Sequence, residues 1–369
     1  MTGSADTKRS RILVMGATGY TGRQVVTELQ RLGLPCALAG RDRARLTSLK
    51  TELKLPEDTP LTVADPTQPA SLSALFTSEI GVIINCAGPF TTLGEAVVRA
   101  SIEASVPYLD ITGEQGYIAR IIDKYDNPAQ QKGCAVVPAC GFEYAMTNWA
   151  SALAAEDLGE IAELWTATAV RDLKTSRGTQ LSALAAISQP GYGWQSGRRV
   201  PKIAASSARQ VDFPAPFGKK NTIWVPFGEM LTIPRYIAVE NLQSFMATPG
   251  FSGRILRIIS PLLPALSQIG GVVLKPLMRG PQAEYSEKSR WAVLAEARNK
   301  QGQVKRVTLQ GQNVYGLTVV LIVWCAQQML ATNFSGKGVL GPAQAFDPHA
   351  ALDYLKDFGL TTFVKSLEE

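Results

Sequence analysis

Histidine is almost absent from this 369-residue chain, in which His349 near the C-terminus is the single one. That scarcity disfavours a histidine-based zinc site and a Ser-His-Asp triad, and we predict no metal site. The five cysteines are odd in number and include no C-x-x-C motif. They are typical of small buried apolar residues in a protein kept in a reducing compartment.

Long runs of one charge and an N-terminal apolar core are also lacking. The 37 Lys and Arg residues outnumber the 31 Asp and Glu residues, but the excess is spread along the chain. This spread disfavours a nucleic-acid partner, although a net charge of +6 suits anionic small molecules and anionic membrane surfaces. The first ten residues are polar and do not resemble a signal peptide, so we expect a cytoplasmic location, with peripheral contact to a membrane.

A glycine-rich stretch, RILVMGATGYTG at 11–22, carries the clearest functional signal. A short apolar run is followed by Gly16, Gly19 and Gly22, and then by a helical pattern. Strand, glycine turn and helix are the parts of a dinucleotide-binding unit, although the spacing is G-x-x-G-x-x-G rather than G-x-G-x-x-G. Gly16 permits a tight turn, Gly19 lets a pyrophosphate approach the helix N-terminus, and Gly22 permits close packing. The alternative is a glycine turn that binds no ligand.

The periodicity predicts an α/β fold with a doubly wound parallel sheet. Apolar runs predict five further strands, separated by helical patterns, at 36–39, 61–64, 82–86, 108–111 and 134–138. Right-handed crossovers leave few other topologies for six such strands. After about residue 145 the pattern changes to a strand at 163–170, a hairpin at 289–310 and an apolar helix at 313–331. The length also favours two domains, the second of α+β type.

The end of the second predicted strand bears on the choice of cofactor. An acidic residue at that place usually holds the ribose 2′-hydroxyl, but the chain has Arg41 there, with Arg43 and Arg45 nearby. Because a guanidinium matches a 2′-phosphate, we predict NADPH rather than NADH. The alternative is a solvated helix face, to which Arg45 is better suited than Arg41. Asp65, at the next strand end, is placed either to bind the adenine amino group or to cap the following helix.

Ligands of doubly wound sheets bind at the carboxyl ends of the strands. The predicted cofactor-binding residues therefore lie at four such ends and are Gly16, Thr18, Gly19, Tyr20, Thr21, Gly22, Arg41, Asp65, Cys86, Ala87, Gly88 and Pro89. Cys86 lacks an activating histidine, so we interpret its thiol as a packing group.

Candidate acids for proton transfer also lie at the strand ends, and they are Tyr20, Tyr108, Asp110, Glu114, Glu143 and Tyr144. We predict Glu143 and Tyr144 as catalytic, because the chain leaves the first sheet there. The alternative for Glu143 is a hinge residue that pairs with an arginine. A Tyr-x-x-x-Lys pair is missing from the expected strand-to-helix position, which disfavours the mechanism of short-chain dehydrogenases.

The motifs of the chain resemble those of the saccharopine dehydrogenase-like oxidoreductases. They are GATGYTG (16–22), LAGRDRARL (38–46), INCAGPF (84–90), YLDITGE (108–114), CGFE (140–143) and GVLGPAQAF (338–346). The YLDITGE stretch looks most like the branch that includes the trans-acting enoyl reductases. The resemblance implies an NADP-binding Rossmann domain at 1–145, an inserted α+β substrate and dimerisation domain at 146–311, and a C-terminal helical segment at 312–369 that packs back on the Rossmann domain.

Residues 251–279 form an unusually apolar segment, FSGRILRIISPLLPALSQIGGVVLKPLMR. Pro261, Pro264 and the internal Arg257 argue against a membrane-spanning helix. A segment lying in the membrane interface and an apolar wall for a lipid substrate are two interpretations. Two short buried helices at a domain or dimer interface are the third.

The sequence therefore predicts an NADPH-dependent reductase of an activated, enoyl-type double bond in an apolar, lipid-like or isoprenoid-like substrate. One alternative is an imine or secondary-amine oxidoreductase, for which Arg171, Lys174 and Arg177 would bind carboxylates. Another is a protein that binds NADPH without turnover, as a sensor or scaffold. We expect a homodimer and a small-molecule substrate.

Overall fold

A computed structural model describes residues 9–173, 191–248 and 288–367 of the chain. Their contacts divide them into two compact units. The first unit comprises residues 9–112, 120–141 and 318–340, and the second comprises 113–119, 142–173, 191–248, 288–317 and 341–367. The domain boundaries predicted at residues 145 and 311 stay a prediction, because compactness does not show which segments fold independently.

The first unit is built on a seven-stranded parallel sheet. Its strands are β1 (Arg11–Met15), β2 (Cys36–Gly40), β3 (Leu61–Val63), β4 (Ile80–Asn85), β5 (Tyr108–Asp110), β6 (Ala135–Val137) and β15 (Gly338–Val339). Their order is β15-β6-β5-β4-β1-β2-β3, and each neighbouring pair is parallel. The order reverses beside β1, as a doubly wound sheet requires. The six predicted strands are confirmed, with ends that differ by no more than two residues.

Helical connections join the strands of this sheet. They are α1 (Tyr20–Arg31), α2 (Arg43–Glu52), a 3-10 helix (Pro69–Leu75), α3 (Phe90–Glu103) and α4 (Gln115–Gln131). Val25, Val26 and Leu29 form the buried stripe of α1, as their helical spacing predicts. The spacing of Val97, Val98 and Ile102 predicts a helix from about Gly94. The helix, α3, begins earlier, at Phe90, because Pro89 occupies its N-cap with a φ of −68° and the helix starts directly after it.

The N-terminus of α2 is fixed by Asp42, whose side chain accepts a hydrogen bond from the backbone N–H of Arg45 at 3.1 Å. Because Asp42 precedes the helical pattern of Leu46, Leu49 and Leu53, the sequence predicts it as an N-cap, and this hydrogen bond confirms it. We expect Asp42→Ala to lower the free energy of unfolding by about 1 kcal/mol, because an orphan helical donor loses its acceptor. Urea unfolding measures the change. Asp353→Ala, which removes an exposed carboxylate paired with Lys356, is the control and should leave the unfolding midpoint unchanged; equal losses in both variants would contradict the capping role.

The second unit is built on a nine-stranded mixed sheet. Its strands are β7 (Ile161–Arg171), β8 (Gly191–Gln195), β9 (Arg198–Lys202), β10 (Ala208–Phe213), β11 (Gly218–Trp224), β12 (Val239–Ala247), β13 (Arg290–Asn299), β14 (Val304–Gln312) and β16 (Thr361–Leu367). Seven follow the order β10-β11-β12-β7-β13-β14-β16, and β8 pairs with β12 and β9. The predicted hairpin is confirmed as β13 and β14, in which Val293 lies opposite Leu309 and Ala295 opposite Val307. Strands β7 and β12 are parallel neighbours, although 67 residues lie between Arg171 and Val239 in the sequence.

The remaining helices are α5 (Phe142–Ala155), α6 (Glu229–Thr232), a 3-10 helix (Ile233–Arg235), α7 (Val314–Leu330), α8 (Pro342–Ala345) and α9 (Pro348–Lys356). Helix α7 is largely buried, as its apolar sequence predicts. In the three described ranges, no helix combines the length and hydrophobicity needed to cross a bilayer. The apolar segment 251–279 lies outside the described residues.

Candidate functional site

The glycine turn between β1 and α1 folds closely upon itself. Gly16 has a φ of +77°, which favours glycine, and its carbonyl accepts a hydrogen bond from the Gly19 N–H at 3.0 Å. A Cβ atom on Gly22 would lie 2.2 Å from the Gly16 carbonyl oxygen. A Cβ on Gly16 would lie 2.9 Å from the backbone nitrogen of Ala87, which follows β4. Gly16 and Gly22 therefore have no room for a side chain.

Helix α1 begins where an anion would be stabilised. Its N-cap, Gly19, has extended backbone with a φ of −76° and a ψ of 170°, and it offers no side-chain cap. The first turn, which includes Thr21 and Gly22, carries no acidic residue. Backbone N–H groups at a helix start lack intrahelical partners and lie at the positive end of the dipole. The hydroxyl oxygen of Thr18 lies close to Gly40, at the end of β2.

The loop after β4 packs against the glycine turn. The Asn85 side-chain oxygen accepts a hydrogen bond from the Ala87 N–H at 3.0 Å and so fixes the exit from the strand. Gly88 and Pro89 are exposed. Burial, and to a lesser extent the charge of Asp110, raises the pKa of the Cys86 thiol to about 12. A thiol that stays protonated is a poor nucleophile, which agrees with a packing role for Cys86.

The Asp110 carboxylate links, through hydrogen bonds, the segments that follow β5 and β6. Its Oδ1 atom accepts hydrogen bonds from the N–H groups of Thr112 at 3.0 Å and Ala139 at 2.8 Å. Its Oδ2 atom accepts from the Tyr108 hydroxyl at 2.9 Å, and that hydroxyl accepts from the Asn85 amide at 3.0 Å. Asp110 and Asn85 are fully buried. These contacts give Tyr108 and Asp110, both predicted as candidate acids, a structural role in shaping the loops.

The three arginines after β2 have different surroundings. Arg43 donates to the Leu61 carbonyl at 2.7 Å, and Arg45 lies 3.7 Å from the Asp42 carboxylate. Arg41 is exposed, and in the described part of the chain its guanidinium takes part in no hydrogen bond or ion pair. Arg41 is therefore the arginine that remains available to an anionic ligand.

Asp65, at the end of β3, shapes its own loop. Its carboxylate accepts from both the N–H and the hydroxyl of Thr67, at 2.9 and 2.8 Å. These hydrogen bonds lower the pKa of Asp65, and Arg41 adds a smaller lowering. The N-cap of the following 3-10 helix is Gln68, so Asp65 closes the turn before that helix and does not cap it. A contact from Asp65 to adenine stays a prediction.

The two predicted catalytic residues begin α5 in the second unit. The Oε1 atom of Glu143 is sealed from solvent, and no hydrogen-bond partner or arginine pairs with it among the described residues. Burial, together with the charge of Glu229, raises the pKa of Glu143 well above its usual value. The Tyr144 hydroxyl donates to the Gly113 carbonyl at 3.0 Å. The proton of the Tyr144 hydroxyl is thus held in a hydrogen bond, whereas the raised pKa of Glu143 favours its protonated form.

Sequence reasoning missed a third group, Glu229, at the start of α6. It is fully buried, and its Oε1 atom accepts from the Thr166 hydroxyl at 3.1 Å and the Ser244 hydroxyl at 2.7 Å. Its Oε2 atom has no partner among the described residues. Burial raises the pKa of Glu229 to about 7, although the two hydroxyls lower it in part. One charged residue inside the apolar run IWVPFGEMLTI (223–233) is the signal that could have identified it.

The other predicted polar residues are less informative. Arg171 pairs with its neighbour Asp172 at 3.1 Å, and Lys174 and Arg177 lie outside the described residues. In the ranges that the structure covers, no three histidine, cysteine or carboxylate side chains lie together as metal ligands would. The carboxylate-binding role of Arg171, Lys174 and Arg177 stays a prediction.

Residues 12–158, from β1 to just beyond the end of α5, match the family described as the saccharopine dehydrogenase NADP binding domain. This stretch is a saccharopine dehydrogenase NADP-binding domain. The expected resemblance, the α/β fold and NADP as the cofactor are thereby confirmed.

Relatives of the NADP-binding domain carry different names. A trans-acting enoyl reductase of Mycobacterium ulcerans is 36% identical over 143 residues, which are 38% of this chain and 34% of that protein. A lipid droplet localized protein of Caenorhabditis elegans is 35% identical over 144 residues, 37% of this chain and 34% of that protein. The matched region thus spans about a third of the length of each relative. A solved saccharopine dehydrogenase (L-Glu forming) of Saccharomyces cerevisiae covers 97% of this chain and is itself covered completely, with a TM-score of 0.65 and 12% identity, which shows a shared fold.

The residues of the NADP-binding domain fit a dinucleotide. Gly16 and Gly22 keep the turn free of side chains, Gly19 leaves the helix start open to a pyrophosphate, and Arg41 is free to pair with a 2′-phosphate.

Arg41 supplies the test of cofactor choice. We expect Arg41→Ala to raise the Kd for NADPH by about tenfold to hundredfold, because a hydrogen-bonded charge pair contributes about 1.5–3 kcal/mol. The Kd for NADH should stay nearly constant. Fluorescence titration with both nucleotides measures the two constants. Arg45→Ala is the matched control, since Arg45 already pairs with Asp42, and an equal loss in both variants would contradict a specific role for Arg41.

Proposed function

We propose that this chain is an NADPH-dependent oxidoreductase that reduces an activated, enoyl-type double bond of an apolar substrate. The assignment of NADPH as the cofactor rests on one observation, the NADP-binding domain with an open helix start and an exposed, unpaired Arg41 after β2. The matching family is described by the name of a dehydrogenase, which supports hydride transfer as the reaction class.

The assignment of an apolar substrate rests on the names of two relatives and on an apolar segment of the sequence. One relative is named as an enoyl reductase, and another is named for lipid droplets. The sequence contributes the apolar segment 251–279, to which we assign contact with a lipid-like substrate or with the membrane surface. We therefore expect the substrate to be drawn from apolar thioesters, lipids or isoprenoids.

Each candidate residue then has a defined task. NADPH, when bound, supplies the hydride. Gly16, Gly19 and Gly22 receive its pyrophosphate, and Arg41 selects its 2′-phosphate. Glu143, with a raised pKa, is our proposed proton donor, because a carboxyl that is protonated near neutral pH can act as a general acid. The Tyr144 hydroxyl donates to the Gly113 carbonyl, so we assign Tyr144 to positioning.

The proposal is tested by following NADPH absorbance with two defined substrates. One is a long-chain enoyl thioester, and the other is an amino acid mixed with a keto acid, which form an imine. We expect consumption with the thioester only, and loss of that consumption in Arg41→Glu at low NADPH. Consumption with the imine mixture alone would replace our assignment with saccharopine-type chemistry. Tight NADPH binding without turnover of either would favour a sensor or scaffold.

A further inference from the structure

Two carboxyl groups of the second unit lie on helices that pack together, α5 and α6. Glu229 is fully buried, and Glu143 is half-buried with its Oε1 atom sealed from solvent. Gly228, the N-cap of α6, packs against the ring of Tyr144, and a Cβ on Gly228 would lie 3.4 Å from the Tyr144 Cε1 atom. Glu229 follows Gly228, and Glu143 precedes Tyr144. Burial raises the pKa of Glu143, of Tyr144 and of Tyr236, and the charge of Glu229 raises each of them further.

Each carboxyl group has one buried oxygen that accepts no hydrogen bond from the described residues. Glu229 Oε1 accepts from two hydroxyls, but Glu229 Oε2 and Glu143 Oε1 accept from none in the described ranges. The tyrosine hydroxyls do not compensate, because Tyr144 donates to the Gly113 carbonyl and Tyr236 to the Asn148 carbonyl, both at 3.0 Å. Buried acceptors without donors are costly, and a proton on one of the carboxyls lowers that cost.

The charged and titratable groups around this pair are mostly acidic or phenolic. Those on the elements packed against α6 are Glu143 and Tyr144 on α5, Tyr192 on β8, Glu240 on β12, Arg235 on the 3-10 helix and Tyr236 directly after it. Strand β7, which supplies Thr166, carries Glu163 and Arg171, and both are exposed. Glu240 is exposed and pairs with Lys300 at 3.0 Å. Among the described residues, no basic side chain contributes to the pKa shift of Glu229 or Glu143. Two carboxylates that repel each other, with no cation paired to either in the described ranges, cannot both ionise at low cost.

We propose that Glu143 and Glu229 share one proton near neutral pH, and that Glu229 is a positioning residue whose negative charge keeps Glu143 protonated as the acid. The proton sharing is argued from the burial and the hydrogen bonding of the two carboxyl groups, whereas its use in catalysis rests on the proposed function. In that step the Glu143 O–H bond breaks and its proton forms a C–H bond with the electron pair of the substrate double bond. The hydride adds to the other carbon, NADPH becomes NADP⁺, and the Glu143 carboxylate regains a proton from water.

Infrared spectroscopy of the full chain, without cofactor or substrate, tests the sharing. The carbonyl stretch of a protonated carboxyl is followed through a pH titration in wild type, Glu143→Gln and Glu229→Gln. We expect wild type to retain a protonated-carboxyl band at about pH 8 that Glu143→Gln lacks, and Glu229→Gln to lose its band at a pH at least about one unit lower. Glu163→Gln, which changes an exposed glutamate on β7, is the control and should match wild type.

Two results would overturn the proposal: absence of the band in wild type at about pH 8, or an unchanged midpoint in Glu229→Gln.

Ser244→Ala is a second variant, which keeps both carboxyls and removes the donor 2.7 Å from Glu229 Oε1. It should raise the pH at which Glu229 ionises, and no change there would also count against the pair. Once a substrate is found, kcat can be measured as a function of pH. In Glu229→Gln, the fall of kcat at alkaline pH should begin at a lower pH than in wild type, because Glu143 loses its proton more readily. If the infrared results are as expected but no substrate causes NADPH turnover, the proposed function is wrong and the proton sharing is unaffected.

Discussion

Replacing Gly22 with alanine is expected to weaken NADPH binding severely. The new Cβ would lie 2.2 Å from the Gly16 carbonyl oxygen and 3.0 Å from the Ala17 Cα atom, and neither contact is with a flexible side chain. The turn must open to admit it, which displaces the start of α1. Overpacking of this kind costs about 3 kcal/mol, so the Kd for NADPH should rise by about hundredfold or more. Calorimetric titration measures the loss.

A matched glycine distinguishes this effect from a general response to alanine. A Cβ on Gly116, in α4, would meet nothing within 4 Å, and alanine favours helices. Gly116→Ala should therefore bind NADPH as wild type does. Gly19→Ala is intermediate, because its Cβ would lie 3.2 Å from the Gly16 oxygen. Wild-type affinity in Gly22→Ala, with its fold shown intact by circular dichroism, would contradict the role assigned to the turn.

The second large effect concerns the dependence of stability on pH at Glu229. Its folded pKa is about 7, above an unfolded value near 4.5, so the folded state binds more protons between those pH values. The stability from this group is thus present at low pH and is lost as pH rises through about 7. Each unit of pKa shift corresponds to about 1.4 kcal/mol. We expect the free energy of unfolding of wild type to fall by about 3 kcal/mol relative to Glu229→Gln between pH 5 and pH 8.

Chemical denaturation of both proteins at the two pH values measures this difference. Glu163→Gln is the control, because Glu163 is exposed and its variant should follow wild type at both pH values. If the stability gap between wild type and Glu229→Gln stayed constant with pH, then Glu229 would be ionised like an ordinary surface glutamate. The proton-sharing pair would then lose its physical basis.

Local sequence patterns were sufficient for much of the first unit. The apolar run of β1, the three glycines and the stripe of α1 lie within about twenty residues and obey simple steric rules. The β13–β14 hairpin was likewise predictable, because its alternation and its turn at Asn299–Gln303 are contiguous in the sequence. The starts of helices were less predictable, as α3 shows.

Non-local contacts account for what the sequence did not reveal. Glu229 takes its partners from Thr166 on β7 and Ser244 on β12, and only the parallel pairing of those strands brings the two hydroxyls together. The role of Asp110 depends on the N–H of Ala139, 29 residues further along the chain. Arg41, by contrast, was identified from its place after β2, but its freedom from the partners that engage Arg43 and Arg45 required the structure.

The most direct test of the central claim is deuterium transfer from NADPH that carries the label at the reactive carbon of its nicotinamide. The full chain is incubated with this cofactor and, separately, with an apolar lipid extract and a polar extract of amino acids and keto acids. Mass spectrometry then locates the label, with Gly22→Ala as the negative control. Our account predicts deuterium in a reduced species of the apolar extract and none with the variant. Label confined to an amine of the polar extract, or no transfer despite tight NADPH binding, would contradict it.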